Sequence, residues 1–425
     1  MSPSPPTFHF YGNTVVRAAF VVALFGWGVG FYGPPVFLHA VLVRTGWSLT
    51  LVSAAVTFHF LFGAGVVALL PRIHRRFGVA TTTLAGAIAL AIGVLGWAAA
   101  DEPWQLFVAA LLTGGGWVPL GAAGINAIVS PWFADRRPLA LAKAYNGASV
   151  GGMVFSPLWA VLIDRVGFPA AAMMVGLAMV TVVMSIATRE LARTPTSEDQ
   201  PADAGVYLAP AAAPHPALWR DRRFLTLAAA MSMGLFAQIG LIAQLFALMA
   251  PDMGPRLAGA VMALATGCGM GGRLLMARLL GAHTDRRLAA AASYAMQALG
   301  TLLLWIAGPE HLALFLLGIV LFGLGIGNAT SLPPLIAQAE FAPVDVPRVV
   351  ARSVALSQAL YAFAPAALAG LMVGGSRAAP SWGVDTGAYF FVIVALQVLA
   401  AGCVWTGRRP VRLRTGATRT NRIGS

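Results

Sequence analysis

The chain has 425 residues, of which 58% are hydrophobic and only 10% are charged, and its mean hydropathy is +0.78. Soluble domains carry about a quarter charged residues, so this composition excludes an ordinary soluble protein and predicts a polytopic membrane protein. The net charge of +13 raises the question of nucleic-acid binding. The basic residues fall along one membrane face, however, and we expect no nucleic-acid partner.

Charged residues, prolines and glycines interrupt the sequence at regular intervals and mark the ends of apolar runs. A helix needs about 20 apolar residues to cross the hydrocarbon, so these runs predict an all-α protein with about twelve transmembrane helices. The predicted spans are 15–43, 50–70, 79–100, 104–130, 138–163, 167–188, 224–249, 257–281, 288–308, 312–338, 349–374 and 386–406.

Basic residues test this arrangement, because cytoplasmic loops carry an excess of Lys and Arg. With both termini in the cytoplasm, 21 of the 28 basic residues fall on the cytoplasmic side and four fall outside. This distribution predicts an even number of spans, cytoplasmic termini and a plasma membrane location, which in a bacterium is the inner membrane. The basic tail, 408–425, is expected to contact anionic lipid headgroups.

The first two predicted spans contain candidate cavity residues. Tyr32 lies just before Pro34 and Pro35, which bend or break a helix. His59 lies in the middle of the second span, where it is a candidate for proton coupling because histidine titrates near neutral pH. The structural alternative for His59 is a hydrogen bond to a neighbouring helix.

Several short motifs carry a family resemblance. They comprise Gly46, Trp47 and Ser48; Arg76, Phe77 and Gly78; Trp132, Phe133, Arg136, Arg137 and Ala140; Gly147, Gly151, Gly152 and Pro157; and Gly272 and Arg273. With these residues the sequence resembles the major facilitator superfamily, and within it the monocarboxylate carriers and oxalate/formate antiporters. The resemblance extends over the whole chain in the number and order of spans.

The resemblance implies two pseudo-symmetric six-helix bundles that move by alternating access, with cargo near the midplane between them. It also implies a conformational gate on the cytoplasmic side. The candidate gate residues are Arg76, Gly78, Arg136, Arg137, Gly147 and Gly151. Gly147 and Gly151 fall on nearly one helical face, where they permit close contact with another helix.

An internal repeat supports two bundles. Residues 62–73, FGAGVVALLPRI, match residues 268–279, CGMGGRLLMARL, at an offset of 206. Between the two copies, the proline-rich and charged segment 190–222 is typical of a linker. The predicted organisation is an N-terminal bundle 1–189, a cytoplasmic linker 190–222, a C-terminal bundle 223–407 and a basic tail 408–425.

Arg273 is the main candidate for binding cargo, because an arginine at the depth of the hydrocarbon must face protein or water. It corresponds to Val67 in the repeat, so it breaks the symmetry that a packing role would keep. Its planar fork suits a carboxylate, and the resemblance implies that an arginine here meets an anionic substrate. The alternative is that the side chain extends to the cytoplasmic interface.

Other polar residues are candidates for contacts with cargo. Ser357, Gln358 and Tyr361 share one helical face in span eleven, and Asn328 lies beside the proline break in span ten. With Arg273 and Tyr32 they form the predicted substrate-binding set. Each has the alternative role of joining helices.

The sequence departs from the family pattern where coupling carboxylates usually lie. Arg75 and Gly281 stand where the superfamily signature has Asp, Gly269 stands where proton-coupled carriers have Asp, and Ala364 stands where oxalate/formate antiporters have Lys. One fixed cation favours a monoanion over a dicarboxylate, because an unpaired second carboxylate in a low dielectric costs several kcal/mol. Coupling stays open between His59, the cargo itself and exchange without net proton movement.

The sequence therefore predicts a monomeric secondary transporter of small organic anions, working by symport or exchange. It predicts no enzyme and no cofactor or metal, because it contains no P-loop and no cluster of His, Cys or paired carboxylates within the spans. An exporter of amphipathic drugs or metabolites is the first alternative, and a substrate panel separates the two. A non-transporting membrane sensor is the second, whose expected mark is a long soluble appendage.

Overall fold

The computed structural model describes residues 11–133, 137–193, 216–280, 284–342, 344–372, 382 and 386–408. Regular structure in these ranges is entirely helical, as the composition predicted. The α-helices are, in order, α1 Gly12–Gly30, α2 Gly33–Thr45, α3 Leu49–Phe77, α4 Val79–Ala99, α5 Pro103–Trp117, α6 Ala122–Val129, α7 Arg137–Val166, α8 Phe168–Arg189, α9 Arg222–Leu279, α10 Arg286–Ala307, α11 Leu312–Ile326, α12 Asn328–Glu340, α13 Val346–Tyr361, α14 Ala364–Ala369 and α15 Gly387–Thr406.

The described helices agree with the predicted number of spans. Ten helical segments are long and apolar enough to cross a membrane. One of them, α9, has 58 residues and contains Gly254 with φ 79° and ψ 154°, so it consists of two spans joined without a loop. The shorter α13 and α14 together form one further span, interrupted at residues 362 and 363. Counted in this way, the spans number twelve.

Two spans are interrupted, the first at its predicted proline break and the tenth at a different place from the one predicted. In the first span the chain turns at Phe31 and Tyr32, directly before Pro34 and Pro35, which lie in the first turn of α2. Proline is tolerated there because the first N–H groups of a helix have no partner within the helix. Span ten is divided into α11 and α12 at Gly327; the predicted break at Pro333 and Pro334 was wrong, because both prolines lie inside α12.

Two bundles, α1–α8 and α9–α15, repeat the same helix contacts, and the repeat glycines show this at the level of single residues. A Cβ on Gly63 would lie 3.1 Å from the carbonyl oxygen of Gly114 on α5. A Cβ on Gly269 would lie 3.4 Å from the carbonyl oxygen of Gly323 on α11. The two members of the repeat therefore allow the same close helix contact in each bundle.

The two ends of the helices differ in charge. We call one end the basic face; among the described helix ends it carries Arg72, Arg75, Arg76, Arg189, Arg222, Arg278, Arg286, Arg348 and Arg408. We call the other end the opposite face; it carries Arg44, Asp101, Asp164 and Arg256.

The bundles contact each other toward the opposite face, where α7 packs along the second segment of α9. Arg256 at the start of this segment donates hydrogen bonds of 2.9 and 2.7 Å to one carboxylate oxygen of Asp164. Lys143 and Arg278 lie farther along the same two helices, toward the basic face, and both are exposed. The ion pair therefore joins the bundles at the opposite face, whereas the same two helices carry exposed basic side chains toward the basic face.

A second set of contacts between the bundles involves α3, the first segment of α9 and α14. The Nε2 group of Gln244 donates to Ser53 Oγ at 2.8 Å and to the carbonyl oxygen of Pro365 at 3.1 Å. The backbone N–H of Ala366 donates to Thr57 Oγ1 at 3.1 Å. We call these five residues the latch, because their hydrogen bonds join the two bundles.

Candidate functional site

Arg273 lies in the second segment of α9, where this helix packs on the break between α11 and α12. Glycine makes the approach possible, since a Cβ on Gly272 would lie 1.9 Å from the carbonyl oxygen of Leu324. A Cβ on Gly327 would lie 2.6 Å from Nε of Arg273. The φ of Gly327 is an ordinary −67°, so glycine is required there for space and not for conformation.

The guanidinium of Arg273 spans the interface between the bundles. Its Nη2 donates a 2.9 Å hydrogen bond to Ser149 Oγ on α7. Its Nε is enclosed and has no acceptor within hydrogen-bond distance. Among the described residues Arg273 makes no ion pair, so its positive charge is available to an anion.

Tyr32 approaches the same place from the N-terminal bundle. Its ring lies beside the side chain of Thr266, which is about two helical turns from Arg273 on α9, and it is near enough to the guanidinium to interact electrostatically. Gly152 makes room for this pair, because a Cβ there would lie 2.6 Å from Tyr32 Cε2 and 2.5 Å from Thr266 Cγ2. Tyr32 and Arg273, predicted from separate patterns, therefore lie together.

A row of aromatic rings leads from Tyr32 to Tyr361. Phe31 and Tyr32 are 5.0 Å apart between centroids, Phe31 and Phe60 are 6.0 Å apart, and Phe60 and Tyr361 are 6.0 Å apart. Trp117 also contacts both Phe31 and Phe60. We call these five residues the aromatic wall. It brings Tyr361 of the C-terminal bundle against the N-terminal bundle.

The other predicted residues of span eleven are placed less directly. Ser357 is buried, and its hydroxyl donates to the carbonyl oxygen of Val354 in its own helix at 2.9 Å. Gln358 is partly exposed. These contacts give Ser357 a local role in α13, and the role of either residue in binding stays a prediction.

Asn328 follows Gly327 but faces the interior of the C-terminal bundle. Its Nδ2 donates to the carbonyl oxygen of Leu324 at 3.2 Å, and its Oδ1 is buried without a partner. Together with Ser293 and Tyr294 of α10, it lines a small cavity whose described lining belongs to this bundle alone. Asn328 therefore points to a different place from Arg273.

His59 is fully buried between α3 and α5. Its Nδ1 lies 2.9 Å from Thr113 Oγ1, and its ring stacks on Trp117 with the centroids 5.8 Å apart. Trp97 donates to the same hydroxyl at 3.4 Å. The sequence left a hydrogen bond to a neighbouring helix as an alternative for His59, and this contact exists. Proton coupling through His59 stays a prediction.

Those predicted gate residues that the structure describes lie at the basic face or between α1 and α7. Arg76 is exposed beside Phe77, and Gly78 has φ +80° between α3 and α4, a conformation that favours glycine. Arg137 begins α7, and Arg136 lies outside the described residues.

Gly147 and Gly151 confirm the expected close helix contact. A Cβ on Gly147 would lie 2.1 Å from the carbonyl oxygen of Phe20, and one on Gly151 would lie 2.4 Å from that of Leu24. These glycines therefore hold α7 against α1, and their part in gating stays a prediction.

Sequence reasoning missed a second buried arginine, at the basic face of the C-terminal bundle. Arg287 donates to both carboxylate oxygens of Glu340, at 2.6 and 2.9 Å, to Thr226 Oγ1 at 3.0 Å and to the carbonyl oxygen of Arg223 at 2.8 Å. Asp285 caps α10 just before it, and that cap was the one local signal in the sequence.

A neighbouring carboxylate at this face is held in its charged form. Hydrogen bonds from the Arg223 guanidinium keep the pKa of Asp221 below its ordinary value, and the shortest is 2.6 Å. Among the described residues no group of three or more His, Cys, Asp or Glu side chains is placed to hold a metal ion.

Comparison with known proteins gives the family. The family model described as the Major Facilitator Superfamily matches residues 15–367. The MFS-type transporter 1 of Ophiocordyceps sp. (strain BCC 1869) is 30% identical over 207 residues, which are 46% of this chain and 42% of that protein. The chain therefore matches less than half the length of this curated relative.

Solved structures show the same fold at low identity. The nucleoside transporter NupG has a TM-score of 0.69 and 12% identity, with 93% of this chain and 98% of that chain covered. A bacterial homologue of the human lysosomal transporter Spinster, in an inward-facing and occupied conformation, has a TM-score of 0.66 and 14% identity, with 95% and 97% covered.

Proposed function

This chain belongs to the major facilitator superfamily, and we propose that it transports a small organic anion that Arg273 binds between the two bundles. As a member of this superfamily the chain is a multi-pass membrane transporter and not an enzyme. The observation that carries the proposal is the guanidinium of Arg273, half-buried between the bundles and without an ion pair among the described residues. An uncompensated charge at this depth is costly, so its retention favours a role in binding.

The charge balance of the site supports a monoanion. A single carboxylate neutralises the guanidinium and accepts two N–H groups in a planar fork. A second carboxylate would need its own cation, and a buried unpaired charge costs several kcal/mol. The monocarboxylate branch, which the motifs resemble, agrees with this charge balance, and we propose that the cargo belongs to that class.

Alternating access supplies the proposed movement. The latch and the pair Arg256–Asp164 close the opposite face, while Lys143 and Arg278 are exposed toward the basic face. We take the basic face as cytoplasmic because it carries the excess of arginine. Opening toward the other side then requires the latch and this ion pair to break while Arg273 keeps its cargo.

The aromatic wall favours a second candidate cargo, an uncharged or amphipathic molecule with a flat ring. Rings stack on aromatic side chains and gain about 0.5–1.5 kcal/mol per pair beyond buried area. NupG, a structural neighbour, is named as a nucleoside transporter. Competition for uptake by uridine without competition by lactate, formate or benzoate would favour this second candidate.

The test is uptake of labelled lactate, formate and benzoate into proteoliposomes. Arg273→Gln should lower uptake about 10- to 100-fold, because a hydrogen bond to a charged group contributes about 1.5–3 kcal/mol. Arg278→Gln is the matched control, since it removes an exposed arginine from the same helix and should leave uptake unchanged. Equal uptake by the Arg273→Gln protein and the unaltered protein would exclude the proposal.

The same vesicles test coupling. Uptake that does not respond to an imposed pH gradient excludes proton symport and favours exchange. Uptake that rises when the outside is acidic favours movement of a proton with the anion.

A further inference from the structure

Ser149 lies on α7 of the N-terminal bundle, yet its hydroxyl contacts the cargo-binding candidate of the C-terminal bundle. The Oγ atom accepts the 2.9 Å hydrogen bond from Arg273 Nη2, and the residue is 4% exposed. Ser149 and Arg273 are 124 residues apart in the chain. The contact therefore exists only because the two bundles meet here.

The position of Ser149 is fixed from both sides. Gly147 and Gly151, on the same helix, hold α7 against α1 through the contacts with Phe20 and Leu24. Gly152 faces Tyr32 and Thr266. Because its helix is held on two sides, the Ser149 hydroxyl loses little conformational freedom when it accepts a hydrogen bond. A hydroxyl with a fixed position can orient the guanidinium that it contacts.

The other side of the guanidinium is closed by Gly327. Its backbone approaches so closely that Nε of Arg273 is enclosed. An arginine has five N–H donors, one of them on Nε. With Nε enclosed and one Nη2 hydrogen directed at Ser149, the remaining Nη hydrogens form the edge that a carboxylate can approach.

We infer that Ser149 is a positioning residue for the anion site: it holds the guanidinium of Arg273 so that its free Nη edge meets the cargo carboxylate. This inference rests on the proposed function. Ser149 acts through Arg273 and not by touching the anion. Its effect therefore appears as a change in affinity for anions, not as a loss of the site's charge.

The test compares Ser149→Ala, which removes the hydroxyl, with Ser149→Thr, which keeps it. The probes are lactate, formate and benzoate, and the readouts are the Kd of the purified protein and the KM and maximal rate of uptake. Ser149→Ala should raise Kd and KM about tenfold with little change in maximal rate, because a guanidinium that is no longer held in place makes a weaker charge-assisted hydrogen bond to the carboxylate. Ser149→Thr should restore both to within about threefold.

Ser156→Ala is the matched control. Ser156 lies on the same helix and is also buried, and its hydroxyl has no partner. It should leave Kd and KM unchanged. In the Arg273→Gln protein, Ser149→Ala should cause no further loss of affinity, since the group that it positions is absent.

Two results would overturn the inference while leaving the proposed function intact. One is an unchanged Kd in Ser149→Ala alongside weakened binding in Arg273→Gln. The other is equal damage by Ser149→Ala and Ser149→Thr, which would indicate packing instead of positioning. Failure of all three acids to bind the unaltered protein would overturn the proposed function, and this inference with it.

Discussion

Two arginines of the C-terminal bundle, the buried Arg287 and the half-buried Arg273, have opposite surroundings. Arg287 is 2% exposed and meets Glu340, a threonine hydroxyl and backbone carbonyls, so its donors are directed at acceptors of the same bundle. Arg273 meets one neutral hydroxyl, from the other bundle. The same type of side chain thus forms a closed structural link at Arg287, whereas at Arg273 it is the proposed open site for an anion.

The positions of the two arginines in the bundle explain this difference. Arg287 joins α9, α10, α12 and α15 through Thr226, Glu340 and the carbonyl oxygen of Val404. These helices belong to one bundle, so the link can persist while the bundles move. Arg273 lies at the interface between the bundles, and a permanent carboxylate partner there would compete with the proposed cargo.

The largest expected effect is a loss of stability when Arg287 is replaced. Arg287→Gln should lower the free energy of unfolding by about 3 kcal/mol, because it leaves Glu340 without its partner. The measurement is the midpoint of unfolding of the purified protein in detergent. Arg273→Gln should not lower this midpoint, since it removes a charge that has no ion-pair partner among the described residues. Equal losses of stability in the two variants would contradict the distinction between a structural Arg287 and an unpaired Arg273.

A smaller effect is expected from the two glycines that make room for these arginines. A Cβ on Gly327 would lie 2.6 Å from Nε of Arg273, and one on Gly407 would lie 2.0 Å from Nη1 of Arg287. Gly327→Ala should weaken anion binding about tenfold with little change in the unfolding midpoint, because it displaces a guanidinium at the open site.

Gly407→Ala should show the reverse result. It displaces a guanidinium that supports the fold, and overpacking of this kind costs typically 1–3 kcal/mol. The unfolding midpoint should fall while Kd for lactate, formate or benzoate stays constant. Binding and stability that changed together in both variants would show that the two sites are not separate.

The smallest expected effect concerns pH at the ion pair Asp221–Arg223, which lies beside Arg287. The pKa of Asp221 is lowered in the folded state by the Arg223 guanidinium. The stability contributed by this pair is therefore complete above the ordinary pKa of Asp, about 4, and is lost as the pH falls through the lower folded value. Asp221→Asn should reduce the loss of stability in that acidic range. An unchanged acid profile would show that Asp221 has no part in it.

The sequence predicted the spans well, because apolar runs and the charged residues at their ends can be recognised from the local sequence alone. The predicted span 79–100 is found as Val79–Ala99, and 312–338 as the pair Leu312–Ile326 and Asn328–Glu340. The break between the latter two, at Gly327, was missed, since a glycine in an apolar run does not reveal how closely another helix approaches.

The site was predicted only in part. The depth and lack of symmetry of Arg273 were visible in the sequence, but its contact with Ser149 depends on how α7 and α9 rotate against each other. Asn328 was grouped with Arg273 because both lie near the predicted midplane, yet its side chain faces the interior of its own bundle. The position of a residue along a helix determines its depth in the membrane, whereas the packing of the helix determines where its side chain points.

The direct junction of the two segments of α9 at Gly254 has a mechanical consequence. Its first segment carries Gln244 of the latch, and its second segment carries Arg273. Only the bend at Gly254 separates the two segments, so a tilt of one segment moves the other. An anion that displaces Arg273 would thereby strain the hydrogen bonds of the latch toward the opposite face. Gly254 is the point through which this displacement reaches the latch.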